Sequence, residues 1–178
     1  MSEMEFIDVV RKRRSIRAYK PDPISDEDLK FLLETARLAP SWKNMQCWEY
    51  IVVKDEKSRI KIAESRPESK DWLVQAPVIV VVCAEPQNSG RVEGKDYYMT
   101  DIGVSFEHLI LAARDRGLGT CWVGEFDENK VKEALDIPEN IRVVAFTPIG
   151  HPAQEKGEVH RRKPLQEFCY YEKYGHKK

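Results

Sequence analysis

The segment "DYYMTDIGVSFEHLILAARDRG", residues 96–117, carries the longest helical pattern in the chain. Its apolar residues recur at steps of three and four: Ile102, Phe106, Leu109, Ile110 and Ala113. This spacing predicts one long helix from Asp96 to Arg116, and Gly117 stands where a C-terminal cap is expected. A helix with so apolar a face needs a core around it, so we expect it to lie at the centre of the fold.

The neighbouring segments predict strands and further helices around this one. "PVIVVVCA", residues 77–84, is a continuous β-branched run and predicts a strand buried on both faces. "EYIVVK" (49–54) and "RVVAFTPIG" (142–150) predict two more strands. "SDEDLKFLLETARLA" (25–39) predicts a helix whose first residue, Ser25, caps its N-terminus. The class is mixed α and β, with about four strands and no linker that would divide residues 1–178.

The composition excludes several classes of protein. The 178 residues contain 29 Lys and Arg against 30 Asp and Glu, and this balance argues against a surface that binds nucleic acid everywhere. The four cysteines form no Cys-x-x-Cys pair, so the sequence predicts no metal site. The N-terminus begins with acids, and the longest apolar run, residues 76–84, is too short for a membrane helix. We therefore expect a cytoplasmic protein with reduced thiols.

Positive charge is concentrated in "RKRRSIRAYKP", residues 11–21. Arg13, Ser15 and Arg17 alternate, so in an extended segment they would face one way and suit a phosphate or another oxyanion. Arg14 would face the other way or contact another part of the same ligand. The alternatives are a solvated helix end and a local nucleic-acid patch.

Three further segments have polar or glycine-rich character. "APSWKNMQCWEY" (39–50) places one hydroxyl and two amide side chains beside two tryptophans, which suits a flat heteroaromatic ligand, although an ordinary loop is the alternative. "GLGTCWVGEFD" (117–127) contains glycines that let the backbone approach a ligand, or simply cap a helix. "HRRKPLQEF" (160–168) adds a second basic group, or a charged tail.

The order of the motifs is more informative than any one of them. "RRSIRAY", "APSWKNMQCW", "GLGTCWVG", "PIGHP" and "RRKPL" follow one another as in the nitroreductase family of FMN-dependent oxidoreductases, which the chain resembles from Phe6 to about Phe168. The resemblance implies an α+β fold with a central, mostly antiparallel sheet flanked by helices. It also implies an intertwined homodimer with FMN at the interface, in which residues 1–178 form one FMN-binding domain and about 164–178 form an arm on the partner; disorder after Lys163 is the alternative.

The resemblance also assigns residues to the cofactor. The positions that match FMN-binding positions of the family are Arg13, Arg14, Ser15, Arg17, Ser41, Trp42, Asn44, Trp122, Val123, Gly124, Arg162 and Lys163. The first four match residues that hold the phosphate, the ribityl chain and the pyrimidine edge, and Arg162 matches a second phosphate ligand. Ser41 and Trp42 would come from the partner subunit. Cys47 stands where the family usually has Pro, and we expect only a small effect from this.

The reaction implied by the resemblance is ping-pong electron transfer. NADH or NADPH would deliver a hydride to FMN N5, and the electrons would pass to a nitroaromatic, a quinone, an enone or another flavin. No side chain is assigned as a catalytic residue. The short segment 85–98 would contribute to acceptor specificity. A non-catalytic protein that stores FMN or senses redox state is the alternative, and a small nucleic-acid-binding protein is a third possibility; the resemblance implies neither nucleic acid nor membrane as a partner.

Overall fold

The computed structural model describes residues 5–178. The helices are α1 (Phe6–Lys12), α2 (Asp26–Arg37), α3 (Glu56–Ala63), α4 (Lys70–Leu73), α5 (Tyr97–Asp115), α6 (Glu128–Leu135) and α7 (Leu165–Phe168). The strands are β1 (Trp48–Val53), β2 (Val78–Ala84), β3 (Arg91–Val92), β4 (Lys95–Asp96), β5 (Gly119–Thr120) and β6 (Arg142–Gly150). Short 3-10 turns occupy Trp42–Asn44, Pro67–Ser69 and Pro86–Asn88.

A four-stranded antiparallel sheet forms the centre, in the order β1-β2-β6-β5. Strand β2 is buried along its whole length, as the uninterrupted apolar run predicts. Successive side chains of a strand point to opposite faces, so each face of β2 needs its own cover. Val78, Val80 and Val82 face one core, and the alternate residues Ile79 and Val81 face the other.

Helices cover both faces of this sheet. The first core joins β2 to α2 and α5, with Phe106 of α5 fully buried in it. The second core joins β2 and β6 to α3, α4 and α6, through side chains such as Ile62 and Phe146. The fold is therefore α+β with an antiparallel sheet flanked by helices, and the expectation for the fold class is confirmed.

The central helix α5 ends as its sequence predicts. Gly117 adopts a left-handed backbone conformation, at φ +72°, that residues with a side chain rarely adopt. The amide of Leu118 donates to the carbonyl of Ala113 at 2.8 Å, and the amide of Gly117 donates to that of Arg114 at 3.0 Å. These bonds stop α5 and turn the chain towards β5.

The helix starts were also predictable. The hydroxyl of Ser25 accepts the amide hydrogen of Asp28 at 3.0 Å and donates to its carboxylate at 2.6 Å, which confirms the predicted cap of α2. Asp55 and Asp127 accept backbone amides at the starts of α3 and α6.

Other local features were not predicted. The segment 85–96 contains a 3-10 turn and the β3–β4 hairpin, for which its polar sequence gives no periodic signal. The helix α4 had no clear sequence signal because it is a single turn. All four cysteines are free thiols. Among residues 5–178, no helix combines the length and the apolar character needed to cross a membrane.

Candidate functional site

The basic segment, residues 11–21, is helical only as far as Lys12, where α1 ends. Arg13, directly after α1, has φ −61° and ψ 124°, values outside the helical region. The amide of Ile16 then donates to the carbonyl of Thr120 at 2.8 Å, and Ser15 pairs with Thr120 in parallel orientation. The segment is thus extended, as an alternating arrangement of its side chains requires. Ser15 thus lies beside β5 through a single β-bridge.

This pairing brings the first and third predicted motifs together. Gly119 lies so close to Ile16 that an added Cβ would be 2.9 Å from the Cγ1 atom of Ile16. Two residues after Thr120, the indole of Trp122 packs edge-on against Phe106, with 4.6 Å between ring centroids, and remains 41% exposed. Val123 is buried and pairs with β6, which fixes the position of the exposed Gly124. The two motifs are therefore neighbours at Ser15 and Thr120, and the predicted positions Trp122, Val123 and Gly124 follow two to four residues later.

A large cavity of about 760 Å³ opens beside this pairing. Its size falls in the range of small-molecule sites, roughly 300–1,000 Å³. Positive side chains outnumber negative ones on its walls. The cations are Lys12, Arg13, Arg14, Lys20, Arg114 and Lys156, and the carboxylates are Asp115 and Glu155. A cavity with this excess of positive charge suits an anionic ligand.

Arg114, one of the residues that line the cavity, has a side-chain atom without a partner in the described part of the chain. The Nε atom of Arg114 is buried, and nothing in residues 5–178 accepts a hydrogen bond from it. A buried donor without an acceptor is costly, and a guanidinium binds phosphate oxygens well. The excess of cations on the cavity walls, Arg114 included, fits the phosphate end of a nucleotide-like cofactor. Arg114 was not predicted as a site residue, because in the sequence it appears only as one polar position of a long helix.

The arginines of the basic segment have separate neighbours in this chain. Arg13 forms an ion pair with Glu107 of α5 at 4.0 Å, and burial raises the pKa of that carboxyl although Arg13 lowers it in part. The guanidinium of Arg17 lies over the ring of Trp72, 5.7 Å from its centroid. Both Arg13 and Arg14 line the cavity, which fits the alternative that Arg14 contacts another part of the same ligand.

The segment that follows β6 packs along one side of the basic segment. The chain from His151 runs beside residues 18–20, with the amide of Lys20 donating to the carbonyl of His151 at 2.9 Å. Further on, Lys156 Nζ donates to the carbonyl of Ser15 at 3.0 Å, and Arg14 donates to the carbonyl of Gly157. Lys156 is thus a second residue that sequence reasoning missed, since nothing in its local pattern distinguishes it from other surface lysines.

Arg162 and Lys163 form the second predicted basic group, in the C-terminal segment. Arg162 and Lys163 are exposed, and in the part of the chain that the structure describes no hydrogen bond or ion pair links them to residues 13–17. Their role as phosphate ligands stays a prediction.

Residues 41–47, called here the tryptophan loop, lie near the start of α5. The amide of Trp42 donates to Asp101 at 2.8 Å, and the hydroxyl of Ser41 accepts the amide hydrogen of Gln46 at 2.9 Å. Asn44 is exposed and has a left-handed backbone, at φ 60°. No hydrogen bond or ion pair within residues 5–178 joins this loop to the basic segment. That the partner subunit supplies Ser41 and Trp42 to the cofactor stays a prediction.

Cys47 closes the same loop and is buried. Its thiol lies 3.7 Å from the Asp101 carboxylate. Burial, together with the charge of Asp101, raises the pKa of Cys47 to about 11, so the thiol is neutral near pH 7. This environment fits a small packing residue better than a reactive one.

Comparison with known proteins identifies the family. The model of the nitroreductase family matches residues 10–69 and 63–151. A protein of Archaeoglobus fulgidus with the provisional name NADH dehydrogenase/NAD(P)H nitroreductase is 37% identical over 156 residues, which cover 85% of this chain and 88% of that protein.

Solved structures give the same result. A nitroreductase family protein from Clostridium novyi has a TM-score of 0.81 and 38% identity, covering 98% of this chain and 97% of its own. An FMN-dependent nitroreductase from Clostridium difficile has a TM-score of 0.84 and 27% identity, covering 94% and 99%.

Proposed function

This chain belongs to the nitroreductase family, and from that premise we propose that it uses FMN to carry electrons from NADH or NADPH to a small organic acceptor. The observation that carries the proposal is the pairing of Ser15 with Thr120 beside a cationic cavity. That pairing places the basic segment 11–21, whose arginines suit a phosphate, beside the glycine-containing segment 117–127. A nucleotide-like cofactor requires both: charge for its phosphate and exposed backbone for its ring.

The residues present fit the phosphate end of FMN. Arg13 and Arg14 line the cavity and would bind the phosphate, with Ser15 beside them. Their guanidinium groups offer paired donors that match phosphate oxygens. Arg162 and Lys163 would join them from the C-terminal segment.

The ring of the cofactor would lie along the third motif. Arg17 would place a cation at the pyrimidine edge, and the backbone of Trp122, Val123 and Gly124 would face the ring. When bound, FMN supplies an electron-pair acceptor and donor that no protein side chain provides. A cation fixed beside such a group stabilises the negative charge that accompanies reduction. The side chains would therefore orient and stabilise, and none needs to act as acid, base or nucleophile.

A homodimer would complete the site. Ser41, Trp42 and Asn44 would reach the cavity of the partner subunit. Apolar surface supports an assembly of this kind: Phe6 and Phe168 are exposed, Tyr174 is 91% exposed, and a groove of about 410 Å³ lies between α1, α2 and α5. We propose that α5 packs near its twin and that the arm from about residue 164 covers the partner.

The two substrates would use one open face in turn. The acceptors proposed are nitroaromatics, quinones, enones and free flavins, and segment 85–98 together with Trp42 and Trp72 would discriminate among them. This scheme is ping-pong because the donor leaves before the acceptor enters.

Steady-state kinetics test this proposal. The protein loaded with FMN is assayed with NADH and with NADPH against a quinone and a nitroaromatic at several fixed concentrations, and its mass is measured by light scattering. Parallel double-reciprocal lines and twice the mass of the 20.7 kDa chain are expected. Intersecting lines would contradict the alternating scheme. A protein that holds FMN but oxidises NAD(P)H only at the background rate would instead be a storage or redox-sensing protein.

A further inference from the structure

Asp101 is a buried carboxylate that joins two segments of the chain. It lies in the first half of α5 and is 4% exposed. One oxygen, Oδ1, accepts the amide hydrogen of Trp42 at 2.8 Å. The other, Oδ2, accepts the hydroxyl of Ser89 at 2.9 Å and lies 3.7 Å from the thiol of Cys47. Both ends of the tryptophan loop and the segment before β3 are thus attached to one side chain.

The ring of Trp42 is held from two sides. At Gly90, next to Ser89, an added Cβ would lie 2.5 Å from the indole, so the backbone there touches the ring. The ring of Tyr97 lies on another side, with 6.0 Å between the centroids. The tryptophan loop and residues 85–90 therefore form one continuous wall, and Asp101 is its internal anchor.

The loop needs such an anchor because its backbone is unfavourable. Lys43, Asn44 and Gln46 all have positive φ, at 47°, 60° and 52°. Each residue with a side chain in this region costs free energy and persists only when its surroundings hold it there. Hydrogen bonds from the loop to a buried carboxylate are strong enough to do so.

We propose that Asp101 is a positioning residue that locks the Trp42 loop and residues 85–90 into one preorganised wall, and that affinity for the flavin depends on this lock. The inference rests on the proposed function, in which Ser41 and Trp42 line the cofactor of the partner subunit. In this proposal Asp101 does not contact the flavin. It acts by fixing where Trp42 lies, and a binding site loses affinity when its wall is not held in the productive geometry.

The matched control lies one turn further along the same helix. Ser105 is also a fully buried polar residue of α5, but its hydroxyl bonds to Ala36 and Tyr50 and not to the tryptophan loop. Asp101→Ala and Ser105→Ala both remove buried hydrogen bonds from α5, and only the first releases the loop. Asp101→Asn keeps an acceptor for the Trp42 amide and a donor for the Ser89 hydroxyl, and serves as the conservative variant.

Two measurements are compared across these variants. We expect Asp101→Ala to raise the Kd for FMN, measured by fluorescence titration, by about tenfold, because the loop must then be ordered on binding. We expect Ser105→Ala to leave this Kd unchanged and Asp101→Asn to restore most of the affinity. In the protein without FMN, hydrogen exchange of the Trp42 amide should accelerate in Asp101→Ala but not in Ser105→Ala.

The outcomes separate this inference from the proposed function. If Asp101→Ala and Ser105→Ala change FMN affinity and Trp42 exchange equally, Asp101 is only a structural residue and the inference is overturned. If Asp101→Ala does not fold, Gly90→Ala replaces it, since the added methyl must displace the indole, and an unchanged Kd there overturns the inference. A wild-type protein that binds no FMN overturns the proposed function and the claim about affinity, whereas the exchange data still decide whether Asp101 fixes the loop.

Discussion

Replacing Gly119 with alanine tests the contact that joins the basic segment to β5. The new Cβ would lie 2.9–3.0 Å from three atoms of the Ile16 side chain, closer than carbon atoms normally approach. Ile16 is buried and branched at Cβ, so it has little freedom to turn away. Overpacking of this kind costs about 1–3 kcal/mol. In a chain of this size, each kcal/mol lowers the Tm by roughly 2–4 °C.

Function should fall together with stability in this variant. Displacement of Ile16 moves Ser15 away from Thr120, so we expect weaker FMN binding as well as a lower urea midpoint. Ser25→Ala is the control, because it removes the cap at the start of α2 and so lowers stability without touching residues 13–17 or β5. If Gly119→Ala changed FMN affinity no more than Ser25→Ala does, the pairing of Ser15 with β5 would not organise the site.

Two other substitutions and the reactivity of Cys47 have defined expectations. Ser25→Ala removes the cap that binds the Asp28 amide and should lower the free energy of unfolding by about 1 kcal/mol in urea titrations. Burial opposes ionisation of Glu128, but hydrogen bonds from Arg142 and a backbone amide outweigh it and lower its pKa below 4.5. The contribution of ionised Glu128 to the free energy of unfolding is therefore present above the unfolded-state pKa and is lost as the pH falls through the folded-state pKa. Glu128→Gln should lower the free energy of unfolding at neutral pH but not in strong acid. Urea denaturation at both pH values measures this difference. Cys47, with its pKa raised to about 11 by burial and by a neighbouring carboxylate, should react with a thiol reagent at pH 8 much more slowly in the native protein than in urea.

The sequence predicted the regular elements well because local chemistry determines them. The apolar spacing of residues 96–116 gave α5, and the run at 77–84 gave a strand buried on both faces. The Ser25 cap and the Gly117 turn follow from side-chain and backbone preferences that act within a few residues. The hairpin at 91–96 was missed, because two-residue strands are too short to show alternation.

The site was predictable only where its residues formed a recognisable order of motifs. Arg13 and Arg14 were named in advance and line the cavity beside Thr120 of the segment 117–127, whereas Trp122, Val123 and Gly124 are not among its lining residues. Arg114 and Lys156 were not named in advance, because their place in the cavity arises from how α5 and the chain after β6 pack against the basic segment. Such long-range contacts leave no periodic signal in a single sequence.

The central claim is tested most directly by an absorbance spectrum of the purified protein with FMN, recorded without oxygen before and after addition of NADH or NADPH. The account predicts that a visible flavin band remains with the protein through gel filtration and bleaches rapidly when the reduced nicotinamide is added. Absence of protein-bound flavin, even after incubation with FMN, would contradict the assignment of the cationic cavity. Bound flavin that stays oxidised with both donors would contradict the proposed electron transfer from NAD(P)H.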